Sequence, residues 1–321
     1  MKRAITIILL FVLLLGAFTG CGNSTTVTGA AITTNGEEVS AQELSYWINR
    51  MKLDLTSEMT GITENFWKNN TIYGTNAGEY VKQQAIIEAE NQILLVQKSK
   101  AEGIVLSVEE LATIETEWQS LRGQHTTQAA FNKMLKDNRL TEELFRKLYE
   151  DQMYVTKYLE KAFSDDSKRA YFNDEFVRVK HILVSTRDEE GNDLPEEGKA
   201  TAKTEAEALL KRVKRNEDFD KLVSEYSDDP GSEASPDGYA FGKYGNMIDE
   251  FAEASLALEV NGVSELVETM YGYHIIKRFE ASETLFDAEA VELEMSQYLL
   301  ENIRDGADIQ QHQEVIDQLE V

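Results

Sequence analysis

The sequence predicts a chain of the α+β class, and three observations carry that prediction. Two apolar runs, Arg178-Val-Lys-His-Ile-Leu-Val184 and Tyr271-Gly-Tyr-His-Ile-Ile-Lys-Arg-Phe279, alternate in polarity as strands do, and each holds a histidine. Between them apolar residues recur at helical spacing over 200–215, 218–226 and 251–258, with short strands expected at 239–242 and 263–270. On both sides lie long helical periods without strand alternation. The order between the histidines is therefore strand, helices, short strand, helix and two strands, a small α+β sandwich.

Within the first strand Val179, His181 and Leu183 share one face, and within the second His274 shares a face with Gly272 and Ile276. A buried, hydrogen-bonded histidine is the ordinary explanation of either one alone. The chain has only 4 histidines, and two of them in matched strand contexts point to a common site. His125, in the polar turn Gly123-Gln-His-Thr-Thr127, and His312, among glutamines, are expected to be solvated.

The 321 residues are enough for about two domains. Lys2 and Arg3 precede an apolar run from Ala4 to Leu15, then small residues and Cys21, the sole cysteine. Residues 1–20 are expected to be a signal peptide. An uncleaved anchor is the weaker reading, because a span takes about 20 apolar residues. Phe18-Thr19-Gly20-Cys21 resembles the bacterial lipobox, with Phe18 in place of the usual leucine. That resemblance implies lipidation of Cys21, which also removes an unpaired thiol from an exported protein. Residues 21–29 then read as a tether.

The formal net charge is -26, from 32 basic and 58 acidic residues, which argues against nucleic acid and against a basic membrane-binding face. Segment 281–321 carries eleven acidic residues against Arg304 alone. A solvated acidic surface explains this, as does a charge that discourages self-association. Nothing in the chain has the spacing of a metal site or a nucleophilic triad.

Residues 30–173 read as a helical domain entered through a hairpin at Asn35-Gly36. Ser40-Ala-Gln-Glu43 and Ser107-Val-Glu-Glu110 fit capping boxes. Leu44, Ile48, Met51 and Leu55 mark one helix, and Val81, Ala85, Ile86, Ala89, Ile93 and Val96 a second that stops at Gly103. Phe131, Met134 and Leu135 mark a shorter one, and a longer helix runs from Thr141 to about Ala162. Such stripes are core first; Trp47, Phe66, Trp67, Tyr73 and Trp118 would suit an open cradle for unfolded polypeptide. After Phe279 another amphipathic helix extends to Ile303, Asp305-Gly306 breaks it, and a short final element follows.

The stretch from Arg178 to Phe279 resembles the parvulin-type peptidyl-prolyl cis-trans isomerases. The resemblance rests on Val179-Lys-His-Ile-Leu-Val184, Phe219-Asp-Lys-Leu-Val-Ser-Glu-Tyr-Ser-Asp228, Ala240-Phe241, Gly245-Asn-Met247, Phe251, Ala254-Ser-Leu-Ala-Leu258, Val267-Glu-Thr269 and Gly272-Tyr-His-Ile-Ile276. With the lipobox and flanking helices, the whole resembles the PrsA-like foldases and, more loosely, the SurA-like chaperones. What this implies is a parvulin domain at 174–280, inserted between the N-terminal helices and a C-terminal segment, 281–321, that packs back on them as a chaperone module.

The resemblance also implies roles. His181 and His274 match the paired histidines at the centre of the sheet, with Thr269 the hydroxyl beside them. Asp229 matches a position where members carry cysteine or aspartate, and either orients the pair or senses the substrate carbonyl. Phe241, Met247 and Phe251 match the apolar wall that receives the proline ring; each alone would read as core. No cofactor or metal is implied. The expected partners are unfolded or newly exported polypeptides containing proline and, through the anchor, the outer face of the cell membrane, with homodimerisation left open.

Two departures from the family pattern stand out. The loop after the first strand, Thr186-Arg-Asp-Glu-Glu-Gly-Asn-Asp-Leu-Pro-Glu-Glu197, has one arginine among six acids where phosphate-directed members carry a basic cluster. Ser235-Pro-Asp-Gly-Tyr239 stands where the family commonly has Gly-Asp-Leu-Gly, which motivates an alternative: a binding-only holdase with an inactive parvulin fold.

Overall fold

The computed structural model describes residues 27–59, 62–63 and 65–321. The expected signal peptide, Cys21 and most of the tether lie outside these residues. The chain forms two compact units, one from residues 1–162 with 299–321 and one from residues 163–298.

In the first unit β1 (Ala30–Thr34) and β2 (Glu37–Ser40) pair antiparallel, with Asn35 at φ 49° and Gly36 at φ 84° in the two-residue turn that Asn-Gly favours. Ser40 Oγ then caps α1 (Ala41–Glu58) by accepting from the Glu43 amide. The expected capping box is only half made. The buried Glu43 carboxylate instead accepts from Lys147 Nζ at 2.9 Å, because a buried charge needs a charged partner more than the cap needs a second bond. A short helix, α2 (Phe66–Asn69), and a small hairpin of β3 (Thr71–Ile72) and β4 (Thr75–Asn76) precede α3 (Ala77–Ala101). All six residues of the expected α3 stripe are buried.

α4 (Val108–Gly123) opens with both halves of its capping box in place, and α5 (Gln128–Asp137) and α6 (Glu142–Ala162) follow. The aromatic cradle is largely overturned here. Trp47, Trp67 and Trp118 are 3–4% exposed, and Trp118 packs against Phe131 and Phe145 at 5.3 and 5.1 Å. Large rings gain most by filling a core, and only Tyr73 of the five is fully open to solvent.

The second unit begins with α7 (Asp165–Glu175), a helix capped by Ser164 that the periodicity did not announce. β5 (Val177–Ser185) is the central strand of an antiparallel sheet in the order β6 (Tyr239–Phe241), β5, β8 (Gly272–Phe279), β7 (Val267–Thr269). On one face Ile182, Val184, Tyr273 and Ile275 pack under α8 (Glu196–Val213) and α9 (Phe219–Tyr226). On the other, Val177, Val179 and Ile276 pack with Phe241 and with Phe251 of α10 (Asp249–Leu256). β5 is thus a two-sided core strand, which explains its nearly continuous apolar run.

Two local expectations shift. α8 starts at Glu196 rather than 200, where Pro195 sets the entry and two acids suit a helix N-terminus. The strand expected over 263–270 shrinks to β7, because Ser264 Oγ accepts from the Ile276 amide at 2.9 Å and interrupts the ladder. α11 (Ala288–Arg304) packs Val291 against Phe172 of α7 and Phe176 just after it, within this unit. The compact unit therefore takes in residues 163–173 and 281–298, beyond the 174–280 span expected from sequence.

Residues 299–321 belong to the first unit, where β9 (Ile309–Gln311) adds to β1 and α12 (Gln313–Ile316) sends Ile316 into the core. His312 is half-buried, with Nε2 2.8 Å from Thr33 Oγ1, and not simply solvated. His125 is likewise half-buried, its ring 5.7 Å from Phe131. Among the described residues no helix is long and apolar enough to cross a membrane.

Candidate active site

The register of β5 against β8 sets Leu183 opposite His274 and His181 opposite Ile276. Residues directly opposite share a face, so the two histidines are diagonal neighbours on one face of the sheet. Their ring centroids are 5.1 Å apart, and the residues are 7% and 5% exposed. Phe251 of α10 sets its ring edgewise to both, at 5.0 Å from His181 and 5.3 Å from His274.

Each imidazole has a polar neighbour at Nε2. For His274 it is the Thr269 hydroxyl at 2.9 Å, which also accepts from the Tyr271 amide at 3.1 Å. Gly272 makes this tight β7–β8 turn possible: its φ is 142°, and a Cβ there would meet the Val184 carbonyl oxygen at 2.2 Å. For His181 the neighbour is Asp229 Oδ2 at 3.6 Å. Both Nδ1 atoms are buried without a hydrogen-bond partner among the described residues.

Asp229 is placed by the stitching of the chain after α9 onto β5. The Leu183 amide donates to Ser227 Oγ, the Asp228 amide donates to the Leu183 carbonyl, and the Ser185 amide donates to the Asp228 carboxylate. Its own carboxylate accepts from Tyr239 Oη at 2.6 Å, the Gly231 amide at 3.1 Å and Ser232 Oγ at 3.2 Å. Burial raises its pKa, but those three donors and His181 outweigh it and hold the carboxyl below its usual value. Tyr239 responds in the opposite direction, its phenol raised by burial and by the carboxylate it donates to.

The imidazoles are held neutral. Burial lowers the His181 pKa, with Asp229 opposing. Burial and then the neighbouring His181 push His274 down to about 4. The activity profile should therefore show no inflection near 6.5, the ordinary histidine value. Stability follows the same sign. These histidines bind protons more weakly when folded, so their contribution is complete above about pH 6.5 and is lost as pH falls toward 4. A pH–rate titration of peptide isomerisation checks this; an inflection near 6.5 would mean that an imidazole gains or loses charge during turnover.

Of the expected wall, Phe241 and Phe251 are buried at 3% and 6% exposure, and Met247 lies half-buried against them. The structure brings His181, His274, Thr269, Asp229 and Phe251 together around one point. Cys21 lies outside the described residues. Sequence reasoning missed Tyr239, whose ring is 5.8 Å from His181 and whose hydroxyl binds Asp229. In the altered segment 235–239, Gly238, at φ 89°, lies so close to β5 that a Cβ would meet the Val179 carbonyl oxygen at 2.3 Å. A leucine there would not fit this backbone.

Comparisons with known proteins find relatives for both parts of the chain. The family profile of the PPIC-type PPIASE domain matches residues 156–282, and that of the SurA-like N-terminal domain matches residues 1–159. A foldase protein PrsA from Caldanaerobacter subterraneus subsp. tengcongensis is 27% identical over 279 residues, 86% of this chain and 82% of that protein. One from Halalkalibacterium halodurans is 41% identical over 118 residues, covering 35% of this chain and 31% of the relative. The crystal structure of a peptidylprolyl isomerase (PrsA) from Bacillus anthracis, 24% identical, covers 69% of this chain and 90% of its own, with a TM-score of 0.28. The chain thus carries a SurA-like N-terminal domain followed by a PPIC-type peptidyl-prolyl isomerase domain, and it is similar to PrsA foldase proteins.

Proposed function

We propose that the chain is an exported, lipid-anchored foldase that turns X-Pro bonds of unfolded or newly exported polypeptides in an apolar pocket over the His181–His274 pair. One observation carries this reading: two neutral, buried imidazoles lie side by side with the Phe251 ring edgewise to both, inside the domain that matches the isomerase family.

Rotation about the peptide bond breaks amide resonance against a barrier of about 18–20 kcal/mol, and no bond to carbon is made. The site must hold the proline ring in a dry cleft and favour the twisted amide over the planar one. Met247, Phe251 and Phe241 supply the apolar wall. The polar floor follows from proton counting. An ionised Asp229 only accepts, so His181 carries its proton on Nε2 and leaves Nδ1 as a lone pair. The Thr269 hydroxyl accepts from the Tyr271 amide and donates to the bare Nε2 of His274, which leaves the proton of that ring on Nδ1. This assigns one proton and one lone pair to each ring without a net charge. Because Asp229 carries no thiolate, covalent attack has no candidate nucleophile at that position.

The loop after β5 supports clients without phosphate. Its Arg187 donates from Nε to the Met270 carbonyl at 2.9 Å, stacks on Tyr271 at 5.1 Å and lies 3.8 Å from Asp193. An arginine so engaged, among acids, forms no phosphate clamp. Peptides with phosphoserine before proline are expected to turn over no faster than their unmodified forms. A faster phosphorylated peptide in a competition assay contradicts this.

The reading as a whole is tested by isomerisation of an X-Pro peptide with the mature chain. A rate no higher than the uncatalysed one, with aggregation of unfolded clients still suppressed, would select the binding-only alternative. Mass spectrometry of the mature N-terminus tests lipidation of Cys21.

A further inference from the structure

We infer that Glu294, on a helix beyond the stretch that matches the isomerase family, is a positioning residue for the proline pocket, a role that rests on the pocket reading above. The family match ends at residue 282, and α11 runs from Ala288 to Arg304. Within the same compact unit, Glu294 is 4% exposed. Its carboxylate accepts from the Gly242 amide at 2.8 Å and the Tyr244 amide at 3.1 Å, and it makes no ion pair among the described residues. These two amides belong to the turn that leaves β6 and leads to Met247.

The turn is shaped around the carboxylate. A Cβ on Gly242 would lie 2.3 Å from Glu294 Oε2, and one on Gly245 would lie 3.2 Å from Oε1 and 2.8 Å from the Phe241 side chain. Glycine at these positions leaves the room that the carboxylate occupies. The chain closes the turn with the Gly245 amide donating to the Gly242 carbonyl and the Met247 amide donating to the Gly245 carbonyl. Glu294 is thus the side-chain anchor of a segment that begins at Phe241 and ends at Met247, two of the three wall residues.

A buried carboxylate without a cation is costly, and it persists only where its hydrogen bonds are all made. Nothing in the packing of α11 requires a charge at this position. Val291 and Met295 on the same face pack on apolar neighbours. The acceptor is needed by the turn, because the buried Gly242 amide and the part-buried Tyr244 amide would otherwise lose their partner.

The consequence is a pocket whose ordered fraction depends on α11. Loss of the acceptor lowers the fraction of molecules with a formed wall and raises the apparent dissociation constant by the same factor, while the histidine floor is unchanged. Steady-state isomerisation of an X-Pro tetrapeptide by the full chain reads this directly. Glu294→Ala is expected to raise KM about tenfold with kcat within about twofold, and Glu294→Gln, which keeps one acceptor oxygen in place, to recover most of the loss. Glu292→Ala breaks the 2.5 Å ion pair of the same helix to Lys168 without touching the turn, and should leave KM unchanged.

Equal KM changes in Glu292→Ala and Glu294→Ala would reduce Glu294 to a helix-packing residue and overturn the inference. So would an unchanged KM in Glu294→Ala beside a raised KM in Met247→Ala. An unchanged KM in Met247→Ala removes the pocket reading itself, and the role of Glu294 with it. Should Glu294→Ala fail to fold, Glu294→Leu, which fills the space without an acceptor, takes its place: faster amide exchange at Gly242 and Tyr244 with a raised KM supports the role, and unchanged exchange overturns it.

Discussion

Replacing either His181 or His274 with alanine is expected to lower kcat about a hundredfold, and replacing both to lower it hardly further. The scale is that of removing one preorganised polar partner from a dry site. The non-additivity follows from the contact between the rings. Thr269, His274, His181 and Asp229 lie in one line, in which the two rings pack side by side between the hydroxyl and the carboxylate and each holds the other in place. Breaking the line at either ring frees the remaining one to turn or to change tautomer. Each alanine also empties a buried site, so unfolding curves must accompany the kinetics. Two independent losses that multiply in the double variant would show that the rings act separately.

Arg304→Ala is expected to destabilise the first unit by about 3 kcal/mol, at the lower end for breaking a buried ion pair because the arginine is 35% exposed. Its partner, Glu90 of α3, is 1% exposed. Glu90 accepts from Arg304 Nη2 at 2.5 Å and from Gln311 Nε2 of β9 at 2.7 Å, while Arg304 Nη1 donates to Asn91. Without the guanidinium a carboxylate remains buried with one neutral donor. The C-terminal residues that complete the β1 edge and bury Ile316 and Leu319 then lose their charged tie to α3. Urea unfolding measures the loss. A double replacement, Glu90→Leu with Arg304→Met, should recover most of it, since apolar residues of similar size need no partner. A single variant as stable as the parent chain would show that water already serves Glu90 as well as Arg304 does.

Both predictions turn on residues the sequence displays but whose partners it does not name. His181 and His274 are visible as strand histidines, and alternation assigns each its face within its own strand. That the faces coincide depends on the β5–β8 register, which no local pattern encodes. Arg304 is visible as the lone cation of an acidic tail, and its partner lies more than two hundred residues away. Glu294 carries a faint signal, an acid three residues after the fully buried Val291 on a helical stripe. Only the turn packed against it explains why a charge belongs there.

By itself the sequence determined what is local: the Asn35-Gly36 turn, the Ser107 capping box, the α3 stripe and the strand alternation around both histidines. These depend on short-range sterics, hydrogen bonding and periodic burial, which residues within a few positions of one another settle. The tertiary structure decided what depends on residues distant in the chain. It buried three tryptophans that would have suited an open surface, turned Glu43 from its cap to Lys147, joined Tyr239 of the altered segment to Asp229, and divided residues 281–321 between two units. Burial and buried charge are satisfied by whichever partners the fold brings near, and that proximity is a property of the folded chain rather than of any stretch of it.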